Sequence, residues 1–264
     1  MDKTQIVAAI ERIAPLTIAA DWDKSGVQVP CIRGEVKHLA VCLDPTPVSV
    51  GKALADGADM LLSHHPLLMS PRFFDRDDDV LSVVRMLMRA DVMLYSAHTS
   101  LDANVRGPVS WLAAELGMTS PSVLEPTGMM TGEDGTPYEC GFGQVGTLAA
   151  PVTLSDILQL IQPACPRLVR ALPEDLTEIS SLAVCPGSGG SLADAAARAG
   201  AQLLITGDMK YHSALEAPLP VLDVGHFCLE ETMMHRFARS LADTLDGVDV
   251  TFVAASDPFF NPCR

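Results

Sequence analysis

An internal repeat limits what this chain can fold into more than any other feature of its sequence. Residues 39–63 lie over residues 182–206 without a gap, at an offset of 143. Leu39, Ala40, Val41 and Cys42 then pair with Leu182, Ala183, Val184 and Cys185, while Ala53, Gly57, Ala58 and Leu61 pair with Ala196, Gly200, Ala201 and Leu204. Eight identities in 25 positions carry little weight alone, because alanine and leucine are common here. The order of signals carries more: each copy reads as strand, turn, helix, glycine, strand. The expectation is an α/β protein of two related α/β lobes facing each other across one cleft. The first lobe is expected over residues 1–125 and the second over 126–264, with the Gly-, Pro-, Thr- and Met-rich stretch Thr119 to Pro137 as the link.

Chemistry-bearing residues collect where the strand-like runs end. Met60-Leu61-Leu62 delivers Ser63-His64-His65, and Pro66 stops the ladder. The run Val92 to Tyr95 leads to His98 and Asp102, and Asp223-Val224-Gly225 leads to His226 and Glu230. In the repeat register His64 and His65 fall opposite Gly207 and Asp208, whereas His98 and Asp102 match His226 and Glu230 at an offset of 128, so a loop of different length intervenes. His226 and Glu230 are four apart on an expected helix starting near Gly225, so they share a face. Other helices are expected at Ile6 to Ile13, capped by Thr4, and at Thr46 to Ala55, Val80 to Arg89, Val109 to Leu116, Leu154 to Ile161 and Leu192 to Arg198.

Composition excludes several classes. With 264 residues the chain can bury a large core, and with 33 acids against 18 bases its net charge of −15 argues against a nucleic-acid surface. The start Met1-Asp2-Lys3-Thr4 does not read as a signal peptide, and no run approaches the roughly 18 apolar residues that span a bilayer. Seven cysteines without a CxxC pair predict reduced thiols and a cytoplasmic location. The turn Pro186-Gly187-Ser188-Gly189-Gly190 is either a plain tight turn or a set of amides for an anion.

Imidazole with carboxylate, and no cysteine at ligand spacing, suits Zn²⁺, Mn²⁺, Fe²⁺, Co²⁺ or Ni²⁺ better than Ca²⁺ or Mg²⁺. Five or six such ligands exceed one tetrahedral site. Two divalent ions about 3.5–4 Å apart, bridged by a carboxylate and a water, are the economical solution, and their chemistry is hydrolytic.

The segments Leu43-Asp44-Pro45-Thr46-Pro47, Gly57-Ala58-Asp59, Ser63-His64-His65-Pro66-Leu67, Ala97-His98-Thr99-Ser100-Leu101-Asp102, Thr206-Gly207-Asp208 with Tyr211-His212, and Asp223-x-Gly225-His226 with Glu230 resemble the Nif-three-like family, also called GTP cyclohydrolase I type 2 homologues. The resemblance runs from Trp22 to the end of the chain. It implies a dinuclear metal centre between two α/β lobes and a toroidal hexamer. Matched motif to motif, it implies His64, His65, Asp102, His226 and Glu230 as the metal ligands, with Glu230 as a bridge. His98 is implied as an orienting group or a further ligand. The sequence departs from the family pattern at Lys24, after Trp22-Asp23, and at Gln144, after Gly143; neither touches the expected ligands.

Two functions follow from this reading. One is a metal-dependent hydrolase of a nucleotide-like small molecule, with Asp208 and His212 as proton-transfer groups. The alternative is a non-catalytic metal-handling or regulatory scaffold, in which Asp208 and His212 are a hydrogen-bonded pair one helical turn apart that orients the ligands.

Overall fold

The computed structural model describes residues 1–165, 170–171 and 178–259. Contacts divide them into two units, Met1–Leu101 with Met233–Ser256, and Asp102–Thr232 with the stretch from Asp257.

The first unit is built on a five-stranded sheet. Its strands are β1 (Gly26–Val29), β2 (His38–Cys42), β3 (Met60–Ser63), β4 (Met93–Ser96) and β11 (Asp249–Phe252), in the order β1-β4-β3-β2-β11. All neighbours are parallel except β1 and β4. Every residue of β3 and β4 is buried, as expected of strands covered on both faces. Around the sheet lie α1 (Lys3–Ile13), α2 (Pro47–Ala55), α3 (Asp79–Ala90) and α4 (Thr99–Asp102), the last ending at the unit boundary. Local chemistry sets the helix starts. Asp2, not Thr4, caps α1 in a box with Gln5; Thr46 and Ser49 form the box of α2, with Pro47 as its first residue; and the Asp78 side chain accepts from Leu81 N in α3. Val50, Ala53, Val83 and Leu87 then pack with Ala40, Leu61 and Leu94 in one core. Each fully buried large side chain there stabilises the fold by about 1.5–3 kcal/mol.

The second unit holds a six-stranded sheet of β5 (Met118–Thr131), β6 (Pro137–Val152), β7 (Arg170–Ala171), β8 (Ile179–Val184), β9 (Leu204–Thr206) and β10 (Val221–Asp223), in the order β5-β6-β8-β9-β10-β7. Its helices are α5 (Trp111–Glu115), α6 (Leu154–Ile161), α7 (Ala193–Arg198), α8 (Tyr211–Glu216) and the start of α9 (His226–Thr244). Val145, Ala183, Ala196, Leu204 and Val221 form part of its core.

The repeat is visible in the register. Ala40 pairs with Leu61 and Val41 with Leu62 in the first unit; Ala183 pairs with Leu204 and Val184 with Ile205 in the second, each shifted by the same 143. The helix ends match as well. Ala58 N donates to Ala53 O and Ala201 N to Ala196 O, both at 3.0 Å, around Gly57 at φ 83° and Gly200 at φ 84°. A left-handed residue at that point turns the chain from helix back to strand, and glycine adopts it without a Cβ clash. In each sheet the next parallel strand, β4 or β10, is flanked by an antiparallel one, β1 or β7. The two lobes are related α/β units, as the repeat predicts.

Other expectations change as well. Residues 119–137 are not a link: they form most of the β5–β6 hairpin, closed by a turn in which Gly132 N donates to Thr136 O at 2.9 Å. Pro121 and Pro126 lie in β5 at the sheet edge, where a missing N–H costs no ladder bond. The contact division also differs from a border at 125/126, because β11 pairs in parallel with β2 and brings the chain's last strand into the first sheet. Finally, the thiols are not all reduced. Cys165 and Cys228 form a disulfide, with Cα atoms 5.1 Å apart, whereas Cys31, Cys42, Cys140 and Cys185 are not in disulfides; Cys263 lies outside the described residues.

Closing a loop between positions 63 apart restricts the unfolded chain, so reduction of Cys165–Cys228 should destabilise the protein by about 2–4 kcal/mol. Denaturation of the wild type with and without reductant, and of Cys165→Ser, measures this. Reductant should shift the wild-type midpoint and leave that of the variant in place.

Candidate metal centre

In the first unit, strand ends place three imidazoles together. β3 ends at Ser63, and the two residues after it, His64 and His65, each donate a backbone N–H to Leu43 O at 3.1 Å. Ser96, the last residue of β4, donates its hydroxyl to His64 O at 2.7 Å, and His98 stands just before α4. The ring centroids of His64 and His65 are 4.9 Å apart, those of His64 and His98 5.2 Å, and those of His65 and His98 5.6 Å. One nitrogen from each lies within 4.8 Å of the others.

What holds these rings is uniform. His64 Nδ1 is 2.8 Å from Ala97 O, His65 Nδ1 is 2.7 Å from Asp44 Oδ1, and His98 Nδ1 is 2.7 Å from Asp23 Oδ1. A carbonyl or carboxylate oxygen only accepts, so Nδ1 carries the proton in all three and Nε2 is the basic nitrogen. Asp23 also accepts from Ser25 Oγ, Thr99 N and Thr99 Oγ1. Burial works against its charge, but His98, Ser25 and Thr99 outweigh that and hold its carboxyl well below the usual range.

The second unit repeats the device at the start of α9. His226 Nδ1 is 2.8 Å from Asp208 Oδ2, and its Nε2 is 2.7 Å from Glu230 Oε2 one turn further along the helix. Asp208 has φ 54°, a strained conformation for a side-chain-bearing residue, and it lies before α8 rather than on it. Asp208 and His212 are therefore not one turn apart on a helix; Asp208 bonds to His226, while His212 is exposed on α8 beside the Tyr211 ring. Buried Asp223 shapes the loops around them, accepting from Met209 N at 3.1 Å and Gly225 N at 3.0 Å. Asp102 ends α4, half-buried.

Gly187 sits where no side chain fits. With φ 70°, it would place a Cβ 2.3 Å from Glu230 Oε1. A backbone pressed against a carboxylate, with the Gly189 amide already donating to Thr206 Oγ1, favours the plain tight turn over an anion site. Cys185, at the start of this turn, is buried; burial and then Asp102, Glu230 and Glu125 push its thiol up to about 12, which keeps it protonated and unreactive. Gln144, the departure in the glycine-rich segment, donates its amide to Val105 O at 2.8 Å.

Donor chemistry fits a borderline divalent ion. Imidazole Nε2 atoms oriented through Nδ1, with a carboxylate alongside, are how proteins present ligands to such metals. Asp23 and Asp44, absent from the sequence-based ligand set, supply the orientation. Their signal was their place inside the matched motifs, Trp22-Asp23 and Leu43-Asp44-Pro45.

A family model described as Duf34/NIF3 (NGG1p interacting factor 3) matches residues 1–258. The chain belongs to this family. A relative from Clostridium perfringens, named GTP cyclohydrolase 1 type 2 homolog, is 31% identical over 98% of this chain and 99% of its own length. Among solved structures, a Bacillus cereus protein related to NIF3 superposes with a TM-score of 0.87 at 20% identity, each chain 99% covered. Reduced HcgD from Methanocaldococcus jannaschii gives 0.81 at 27% identity, covering 97% of this chain and 98% of its own. The NIF3 fold and the groups that could hold a metal are therefore both present.

His226 makes the site pH-dependent. Burial lowers its pKa, but Glu230 and Asp208 outweigh that and raise it from 6.5 to about 9. In metal-free protein the stabilisation from the imidazolium is fully present below about pH 6.5 and is lost as pH rises through about 9. A metal ion must displace that proton, so affinity should strengthen from pH 6.5 towards 9. An NMR titration of metal-free protein should find the His226 imidazole protonating near pH 9, and Asp208→Asn should lower that value.

Proposed function

We propose that this NIF3-family protein is a hydrolase of a nucleotide-like small molecule that works with two divalent ions per subunit, drawn from Zn²⁺, Mn²⁺, Fe²⁺, Co²⁺ or Ni²⁺. His64, His65, Asp102, His226 and Glu230 would hold the ions. The reading is carried by the Nδ1 bonds described above, which prepare Nε2 of His64, His65 and His226 for coordination. Bound as a pair, the ions supply an acidified water and polarise a carbonyl, C=N or phosphoryl oxygen. The protein's own groups set the rest. Asp44 and Asp208 keep the proton on Nδ1 of His65 and His226, and Asp23 does the same for His98, which orients its neighbours or adds a ligand. Asp208 and His212 are the proton-transfer candidates. A thiol mechanism has little support, since Cys228 is in the disulfide and Cys185 stays protonated.

The names of the relatives make GTP the first compound to test. The alternative is a metal-handling scaffold without turnover, favoured by the net charge of −15, which repels polyanionic substrates. A nucleotide screen on fully metal-loaded protein separates the two. No described helix is long and apolar enough to cross a membrane. The cytoplasmic location expected from reduced thiols loses that support, because Cys165 and Cys228 are joined.

Elemental analysis should find close to two divalent ions per subunit. His65→Ala and Glu230→Ala should each lower that number sharply, and unchanged occupancy in both would remove the ligand assignment.

The family resemblance also implies assembly as a toroidal hexamer. Light scattering should report about 170 kDa for six chains of 28.1 kDa, whereas a monomer at micromolar concentration would overturn the ring and leave the ligand assignment intact.

A further inference from the structure

Trp22 is one of two tryptophans in the chain, and the two are treated in opposite ways. Trp111 is 4% exposed and donates its indole N–H to Leu229 O at 3.1 Å. Trp22 is 59% exposed. Leaving so large an apolar ring in water forgoes the stabilisation its burial would give.

Its backbone is nonetheless held firmly. Ala20 N donates to Thr99 Oγ1 at 3.0 Å, Asp23 N donates to Ala20 O at 2.9 Å, and the Asp23 carboxylate accepts from His98 Nδ1, Ser25 Oγ, Thr99 N and Thr99 Oγ1. Residues on both sides of Trp22 are thus tied to the segment that carries His98. The indole meets the His98 ring at a centroid distance of 6.0 Å and an interplanar angle of 73°, and His98 in turn meets His64 and His65. An exposed indole on a fixed turn thus stands against His98 at the border of a cluster of three imidazoles.

We propose that Trp22 is the stacking platform for a planar heteroaromatic ring, the base-like part of the substrate, bound beside the His64, His65 and His98 cluster. A π-face of this kind takes any flat ring, and the His98 imidazole 6.0 Å away brings the cluster near the polar substituents of such a ring. The proposal deepens the reading of the protein as a hydrolase of a nucleotide-like molecule and rests on it for the reaction, but not for the binding. Base-on-aromatic stacking accounts for about tenfold or more in affinity.

The test uses full-length protein loaded with Zn²⁺ and three probes: guanosine, which has the ring without phosphate; GTP; and inorganic triphosphate, which has phosphate without the ring. Guanosine and GTP should quench the wild-type indole emission saturably, and Trp22→Phe should remove the quench. By calorimetry Trp22→Ala should bind both about tenfold more weakly, Trp22→Phe should retain most of the affinity, and triphosphate should bind all three proteins alike. Metal content should be unchanged in both variants. Equal guanosine and GTP affinity in wild type and Trp22→Ala would overturn the proposal, as would the absence of any quench by either compound. Hydrolysis of GTP that is indifferent to Trp22 leaves the hydrolase reading standing while the platform falls. Ring-dependent binding without turnover of any nucleotide does the reverse.

Discussion

A hydrogen bond from Nδ1 to a fixed acceptor governs four imidazoles in this protein, and the functional reading depends on it. The acceptors are the Ala97 carbonyl and the carboxylates of Asp44, Asp23 and Asp208. An imidazole free to rotate or change tautomer presents a basic nitrogen in no fixed direction, whereas one held at Nδ1 presents Nε2 in a single direction. The carboxylates also bring charge, and in metal-free protein His226 answers by holding a proton between Asp208 and Glu230. A divalent cation supplies the same compensation, so the site is electrostatically ready for one.

Short parallel strands make this possible twice over. In each unit a strand, a helix and a strand place the following residues at the same edge of a sheet, and the two copies keep a common register over β2–β3 and β8–β9. The copies then diverge. The first ends in Ser63-His64-His65, and the second in Thr206-Gly207-Asp208, whose aspartate holds an imidazole rather than being one. Duplication supplied the scaffold, and substitution at the strand ends gave its two copies different roles. The disulfide adds a further constraint near the second set, because Cys228 lies between His226 and Glu230 on α9.

Much of this is legible in the sequence alone. The repeat register, the helices around Val50, Val84 and Ile157, and the positions of His64, His98 and His226 just beyond strand ends all follow from short-range periodicity and from breakers such as Pro45, Pro66 and Gly225. Composition misled where pairing across a hairpin decides the structure. Residues 119–137 look like a linker by composition, yet ladder bonds to β6 make β5 a strand.

The sequence by itself determined the α/β alternation, the duplicated lobes and which residue types could serve as ligands, because each is written in neighbouring residues. Tertiary structure alone decided that β11 joins β2, that Cys165 meets Cys228, and that Asp23 and Asp44 lock His98 and His65. Those pairings span from 21 to more than 200 residues, and no periodicity encodes them. They arise only when the strands have stacked in order and each buried polar group must find a partner.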